Sequence, residues 1–176
     1  MDMSFPEKSL LVLGGARSGK SRYAQAQAEA LPGALVYIAT AQALDAEMAD
    51  RIARHRADRG PRWHTVDAPL DLADAIQAES RTDRVVLVDC LTLWASNLMF
   101  AERDIGHALA TLSATIAAAP GRLIFVSNEV GQGIVPDNAL ARRFRDVAGE
   151  INQVVAGAVD RAVLMVAGLP LLLKPA

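Results

Sequence analysis

Gly14-Gly15-Ala16-Arg17-Ser18-Gly19-Lys20-Ser21 is the stretch that decides how this chain is read. It is a glycine, four residues, then Gly-Lys-Ser. Before it stands Leu10-Leu11-Val12-Leu13, a short apolar run of strand type. After it comes Arg22 to Ala30, in which every residue except Tyr23 is a good or fair helix former. A chance glycine-rich turn would not carry both flanks, and strand, loop and helix in that order mark a phosphate-binding loop. The glycines let the backbone turn its N–H groups inward as an anion nest, and the helix starting near Lys20 adds its positive N-terminal dipole. Lys20 is expected to reach the terminal phosphates of a nucleotide, and Ser21 to hold Mg²⁺.

Length and composition narrow the classes. The chain has 176 residues, 52% of them hydrophobic, enough for one domain (residues 1–176) with a real core. The net charge of −2 leaves no general polyanion-binding surface, so nucleic acid is not an expected partner. Cys90 is the single cysteine, which excludes internal disulfides and a cysteine-rich metal site. Met1 to Ser9 lacks the basic start of a signal peptide, and no apolar stretch reaches the roughly 18 residues of a membrane span. These features predict a compact cytoplasmic domain.

Along the chain, Pro32-Gly33 turns into a strand at Ala34 to Ile38, ending at Ala39-Thr40. Ligands sit at the carboxyl ends of parallel strands, so Thr40 is a candidate contact, with capping of the next helix as the alternative. Residues 43 to 59 read as a helix with Leu44, Met48 and Ile52 on one face. Arg51, His55 and Arg59 fall on nearly the same face, making it apolar in its first half and basic in its second. Arginine on an inward face is costly without an anion, so the pattern suggests phosphate contact; the alternative is a helix end projecting into solvent. Trp63 to Val66 is expected as a strand, with His64 half-exposed on it, and Asp71 to Ala78 as a short helix with Leu72 and Ile76 inward.

Arg84-Val85-Val86-Leu87-Val88-Asp89 has the continuous apolar run of a central parallel strand. Asp89 closes it where Mg²⁺ coordination after a phosphate loop requires a carboxylate; the alternative is a cap for the helix from Leu91. Cys90 reads as a small buried apolar residue. Helices are expected over Leu91 to Phe100 and Ile105 to Ala118. A strand follows over Arg122 to Ser127, then a glycine-bearing loop over Asn128 to Pro136 on the ligand side. A helix from a cap at Asp137 or Asn138 to about Ala158 should turn Leu140, Phe144, Val147, Ile151 and Val154 inward. Its Arg142, Arg143 and Arg145 are either a phosphate clamp or a solvated face. Arg161 to Val166 is a last core strand, and Leu171 to Leu173 an edge hairpin strand. The alternation predicts an α/β fold, a RecA-like three-layer phosphate-loop domain with a mostly parallel central sheet.

A regulatory GTPase would carry Asn-Lys-x-Asp and Asp-x-x-Gly motifs, and neither is present. A DNA motor would want basic, aromatic DNA loops, against the charge balance. A small-molecule kinase fits better, and the match becomes specific in a set of longer stretches. These are Gly14 to Arg22, Tyr37-Ile38-Ala39-Thr40-Ala41-Gln42, Asp45, Glu47-Met48, Arg51-Ile52-Ala53-Arg54-His55-Arg56, Trp63 with Thr65, Asp89 to Thr92, Asn128 to Pro136 and Ala141 to Asp146. In them the chain resembles, over essentially its whole length, the bifunctional adenosylcobinamide kinase/adenosylcobinamide-phosphate guanylyltransferase family of cobalamin biosynthesis.

The resemblance implies two reactions. ATP or GTP phosphorylates the aminopropanol hydroxyl of adenosylcobinamide. GTP then guanylylates a histidine, and the GMP passes to adenosylcobinamide phosphate to give adenosylcobinamide-GDP. The histidine maps onto His55. Nucleotide contacts map onto the phosphate loop, Thr40, the arginines Arg51, Arg56 and Arg59 around His55, Asp67 and Asp89. Family members resemble a propeller-like homotrimer. A neutral imidazole is a competent nucleophile near pH 7, and flanking arginines would neutralise phosphate charge. A kinase without the transferase step, and a nucleotide-dependent binding switch, are the competing readings.

Overall fold

A computed structural model describes residues 7–42 and 59–175. Seven strands, β1 (Ser9–Gly14), β2 (Ala34–Ala39), β3 (Trp63–Asp67), β4 (Arg84–Asp89), β5 (Arg122–Asn128), β6 (Arg161–Val166) and β7 (Leu169–Lys174), form one sheet in the order β3-β2-β4-β5-β1-β6-β7. Every pairing is parallel except that of β7 with β6. The described helices are α1 (Lys20–Glu29), α2 (Leu72–Glu79), α3 (Leu91–Phe100), α4 (Ile105–Ala118) and α5 (Ala139–Ala158).

The sheet is covered on both faces, which is why its inner strands are apolar at every position rather than at alternate ones. β1 shows this directly. Leu10 and Val12 pack with Ala24 and Ala28 of α1, whereas Leu11 and Leu13 join a larger cluster holding Leu72, Ile76, Trp94, Leu112 and Ile151. Ala24 and Ala28 are fully buried, and their small side chains let α1 lie close to the sheet. Trp94, 2% exposed, fills the opposite layer and donates its indole N–H to the Leu70 carbonyl at 2.8 Å.

Among the described residues, expected elements and observed ones agree closely, with one displaced face; the helix expected over residues 43 to 59 lies, but for its last position, outside them. Leu140 was expected inward but is 56% exposed, and Val154 is only partly buried. The buried side chains of α5 are Val147, Ala148, Ile151, Asn152 and Val155. A period of 3.6 places Leu140 on roughly the right face, but full burial begins only at Val147 because the first turns of α5 lie beyond its packed surface.

Register brings the functional ends together. Gly14 lies between Asn128 of β5 and Met165 of β6, and Ala39 lies between Asp67 of β3 and Asp89 of β4. Phosphate loop, both acids and the Asn128 loop therefore share the carboxyl edge of the sheet.

Two glycines make opposite predictions. A Cβ on Gly121, in the turn before β5, would land on the backbone carbonyl of Arg81. Gly149, inside α5, has open space there. Gly121→Ala should lower stability by about 1–3 kcal/mol, whereas Gly149→Ala should raise it by up to ~1 kcal/mol. Urea unfolding of both variants checks the two signs.

Candidate active site

The phosphate loop is held by its neighbours on both sides. The Glu129 N–H donates to the Gly14 carbonyl at 3.1 Å, and the Gly168 N–H donates to the Ser18 carbonyl at 3.0 Å. Inside the loop, the Ser18 N–H reaches the Gly15 carbonyl at 3.3 Å. Gly14 must be small, because a Cβ there would strike the Ser18 hydroxyl and come within 3.1 Å of the Met165 carbonyl. Gly19 precedes α1 at φ 91°, a left-handed conformation that favours glycine, and contributes no side-chain cap. The first-turn N–H groups of α1 are thus uncapped by Gly19, as an anion site requires. The Lys20 ammonium donates to the Gly15 carbonyl at 3.0 Å, lying back along the loop it serves.

Asp89 stands at the end of β4 with an oriented carboxylate. The Tyr37 hydroxyl donates to its Oδ2 at 3.1 Å. Burial first, and then the charge of Asp89, push the Tyr37 phenol up from its ordinary value. The phenol therefore stays protonated and keeps donating at neutral pH. Arg59 sits over the Tyr37 ring at 3.6 Å from its centroid and reaches the Thr65 hydroxyl at 3.4 Å; Trp63 meets the ring edge-on at 6.1 Å. Arg59, Tyr37 and Asp89 thus form one continuous stack. Asp89 is not the cap of α3. That position belongs to Cys90, whose sulfur accepts from the Leu93 N–H at 3.4 Å. Burial, and then Asp89, push the Cys90 thiol up, so it remains a thiol and is no nucleophile.

Thr40 is fully buried and its hydroxyl makes two bonds to one residue. It donates to the Cys90 carbonyl at 2.7 Å and accepts from the Cys90 N–H at 2.9 Å. The side chain straps the end of β2 to the start of α3 behind Asp89. Asn97 adds to the strap, donating to the carbonyls of Thr40 at 2.7 Å and Pro69 at 2.8 Å.

A second buried polar group supports Asn128. The Ser127 hydroxyl donates to Asn152 Oδ1 at 2.6 Å, Asn152 Nδ2 donates to the Asn128 carbonyl at 3.1 Å, and the Asn128 N–H reaches Thr92 Oγ1 at 2.7 Å. Sequence reading passed over Asn152, and named Thr92 only within the matched stretch Asp89 to Thr92, without a role. The available signal was a polar residue on the buried stripe of α5, where an unpaired amide would be costly.

Of the expected site residues, Gly14 to Ser21, Thr40, Arg59, Asp67 and Asp89 lie at or behind the carboxyl edge. Arg51, His55 and Arg56 lie outside the described residues. His64 is exposed on β3, and His107 lines a separate surface cavity of about 330 Å³ with Trp94 and Asp104. Arg142 and Arg143 are exposed, as a solvated face expects, and Arg145 is partly buried. Arg145 donates to the Gly131 carbonyl at 2.6 Å, and Arg142 to the carbonyls of Pro136 at 3.0 Å and Asp137 at 2.8 Å. These bonds staple the 128–138 loop. The oxygen donors Ser21 and Asp89, with phosphate oxygens, suit Mg²⁺, which takes few protein ligands.

The family profile described as "Cobinamide kinase / cobinamide phosphate guanyltransferase" matches residues 10–173. The chain is similar to the bifunctional adenosylcobalamin biosynthesis protein CobP of Pseudomonas aeruginosa, at 48% identity over 93% of this chain and 96% of that one. It is also similar to the bifunctional adenosylcobalamin biosynthesis protein CobU of Salmonella typhimurium, at 42% identity over 94% of this chain and 99% of that one. A solved ATPase of a type III secretion system from pathogenic bacteria superimposes with a TM-score of 0.56 at 11% identity, over 89% of this chain and 50% of that one. That last likeness carries the fold alone and agrees with a RecA-like phosphate-loop sheet.

The strap at Thr40 can be separated from a nucleotide contact. Thr40→Val leaves the buried Cys90 N–H unpaired and takes one of two donors from the Cys90 carbonyl, which keeps the Trp94 N–H at 3.2 Å, so stability should fall by about 1–3 kcal/mol, and Thr40→Ser should restore most of it. Thermal unfolding checks this. A raised KM for nucleotide with unchanged stability would make Thr40 a ligand contact instead. At the edge itself, Asp89→Asn should weaken Mg²⁺ dependence and cut phosphoryl transfer by on the order of 10²-fold with the fold intact. An unchanged Mg²⁺ titration would remove Asp89 from the metal's ligands.

Proposed function

The chain belongs to the cobinamide kinase / cobinamide phosphate guanyltransferase family, and from that premise we propose that its kinase and guanylyltransferase reactions share the carboxyl edge of the sheet. The enzyme phosphorylates cobinamide and then guanylylates the phosphate. The relatives are named bifunctional, which favours two steps over a kinase alone. The observation that carries the site assignment is the phosphate loop itself, anchored at Gly14 and Ser18 and lying on the same sheet edge as Asp89.

In the first reaction the loop N–H groups and Lys20 hold the phosphates of ATP or GTP, and the acceptor hydroxyl of adenosylcobinamide attacks the γ-phosphorus; the bond from that phosphorus to the β–γ bridging oxygen breaks, the nucleoside diphosphate leaves, and the hydroxyl proton is released to solvent. Mg²⁺ held by Ser21 and Asp89 would neutralise charge on the phosphate oxygens. The Tyr37 hydrogen bond keeps Asp89 turned to one orientation, and Arg59 against the same ring offsets its charge.

In the second reaction His55 attacks the α-phosphorus of GTP. A nitrogen–phosphorus bond forms and the bond to pyrophosphate breaks. The phosphate oxygen of adenosylcobinamide phosphate then attacks the same phosphorus, and the imidazole leaves as adenosylcobinamide-GDP forms. Arg51, Arg56, Arg59 and Asp67 are assigned to the guanine nucleotide around His55. The reading extends to a single domain over 1–176, a cytoplasmic location and a homotrimer. The exposed apolar side chains of the β6–β7 edge, Val166, Leu169 and Leu171 to Leu173, support a contact between copies. Among the described residues no helix is long and apolar enough to cross a membrane.

The two reactions come apart by mutation. Lys20→Ala should lower cobinamide phosphorylation by on the order of 10²-fold in folded protein. His55→Ala should keep measurable kinase activity but lose the covalent GMP that intact protein acquires from GTP and Mg²⁺, read by intact mass. That adduct should be acid-labile, survive alkali, and discharge onto adenosylcobinamide phosphate. Replacing His64 and His107 in parallel completes the assignment: an adduct lost in one of those variants and retained in His55→Ala would move the nucleophile.

A further inference from the structure

The loop from Asn128 to Asn138 displays apolar side chains beside the phosphate loop. Ile134 is 97% exposed and Val135 63% exposed, with Val130 and Leu140 also open to solvent. Exposed large apolar groups gain nothing for folding, and clustered ones mark binding surfaces. The loop that carries them is tethered to the site at its start: Glu129 donates its N–H to the Gly14 carbonyl at 3.1 Å. From Glu129 to Ile134 the chain spans at most about 17 Å.

The loop is also pinned. Arg145 holds the Gly131 carbonyl at 2.6 Å, and the Gly131 N–H donates to the Glu129 carboxylate at 2.6 Å. Arg142 holds the carbonyls of Pro136 and Asp137, and Asn138 caps α5 through the Ala141 N–H at 2.8 Å. With both ends fastened, docking on the tip requires little further ordering of the backbone. Between Val130 and Pro136 the sequence is Val-Gly-Gln-Gly-Ile-Val-Pro, without an ionisable group. Two neighbouring guanidinium groups, those of Arg142 and Arg145, are turned back onto loop carbonyls. The surface therefore suits a large body with an extended apolar face and no anionic group to pair.

We infer that Ile134 and Val135, with Val130 at the loop's base, are the seat of the corrin macrocycle of cobinamide, directing its hydroxyl arm toward the phosphate loop. This rests on the kinase reading above and adds where its acceptor binds. A macrocycle too large to enter the phosphate loop needs an outside surface, and this one adjoins the loop through a backbone hydrogen bond.

The double variant Ile134→Ser/Val135→Ser tests it, because both side chains are exposed and their loss leaves the core intact. Steady-state phosphoryl transfer by the full chain should show KM for cobinamide raised about tenfold or more, with KM for nucleotide within about twofold. Ile134→Leu/Val135→Ile should restore the intact value. Equilibrium dialysis of cobinamide, without turnover, should show the same loss of binding. Intact enzyme that turns over while the variant keeps its KM overturns the seat and leaves the kinase reading standing. A changed subunit count in the variant by light scattering also overturns it, making the ridge a contact between copies. Intact enzyme that neither binds nor phosphorylates cobinamide overturns the kinase reading and the seat together.

Discussion

Two backbone hydrogen bonds set the geometry on which the site depends: Glu129 N–H to the Gly14 carbonyl, and Gly168 N–H to the Ser18 carbonyl. A phosphate nest works only if its peptide planes point one way before the anion arrives, since reorienting them on binding would use up the electrostatic gain. Here the planes are held from both flanks. One donor comes from the end of β5 and the other from the turn between β6 and β7, the two strands neighbouring β1 on either side and the turn leaving one of them. Close approach follows from the same arrangement. Gly19 can lie against Gly168 because neither carries a side chain, and a Cβ on Gly19 would stand 3.3 Å from the Gly168 Cα.

Behind the edge, buried hydroxyls and amides do a similar job for the acidic half of the site. Thr40 and Asn97 tie the ends of β2 and β3 to α3, and Thr92, Ser127 and Asn152 hold Asn128. Such groups are stable in a core only when paired, so each fixes the partner it finds. Asp89 is thereby left out of the structural bonding. Its helix cap is supplied by Cys90, and its recorded side-chain partner is Tyr37, a donor that burial keeps protonated.

The loop after β5 joins these two halves to the second substrate. Of its arginines, which the sequence left as either a phosphate clamp or a solvated face, Arg142 and Arg145 bond loop carbonyls and so add rigidity. A rigid apolar tip next to a polar nest is a reasonable division for an enzyme whose two substrates are a highly charged nucleotide and a bulky corrinoid. Each is met by a surface of its own kind, and neither surface has to desolvate the other's ligand.

By itself the sequence determined the phosphate loop, the α/β alternation, Asp89 as the acid closing β4, and the family. Each of these is written in consecutive residues or at short fixed spacings: a glycine pattern between an apolar run and a helix, four β-type residues before one carboxylate. Tertiary structure alone decided what depends on residues far apart in the chain. Thr40 meets Cys90 fifty positions on, and Tyr37 meets Asp89 fifty-two positions on, through the pairing of β2 with β4. Leu140 fell outside the core and Asn152 inside it, because helical period gives a face but not where the packed surface beneath it begins. The loop carbonyls that Arg142 and Arg145 meet were likewise not legible in the sequence. A guanidinium's partner is set by which acceptors the folded chain brings within reach, and spacing along one helix does not contain that information.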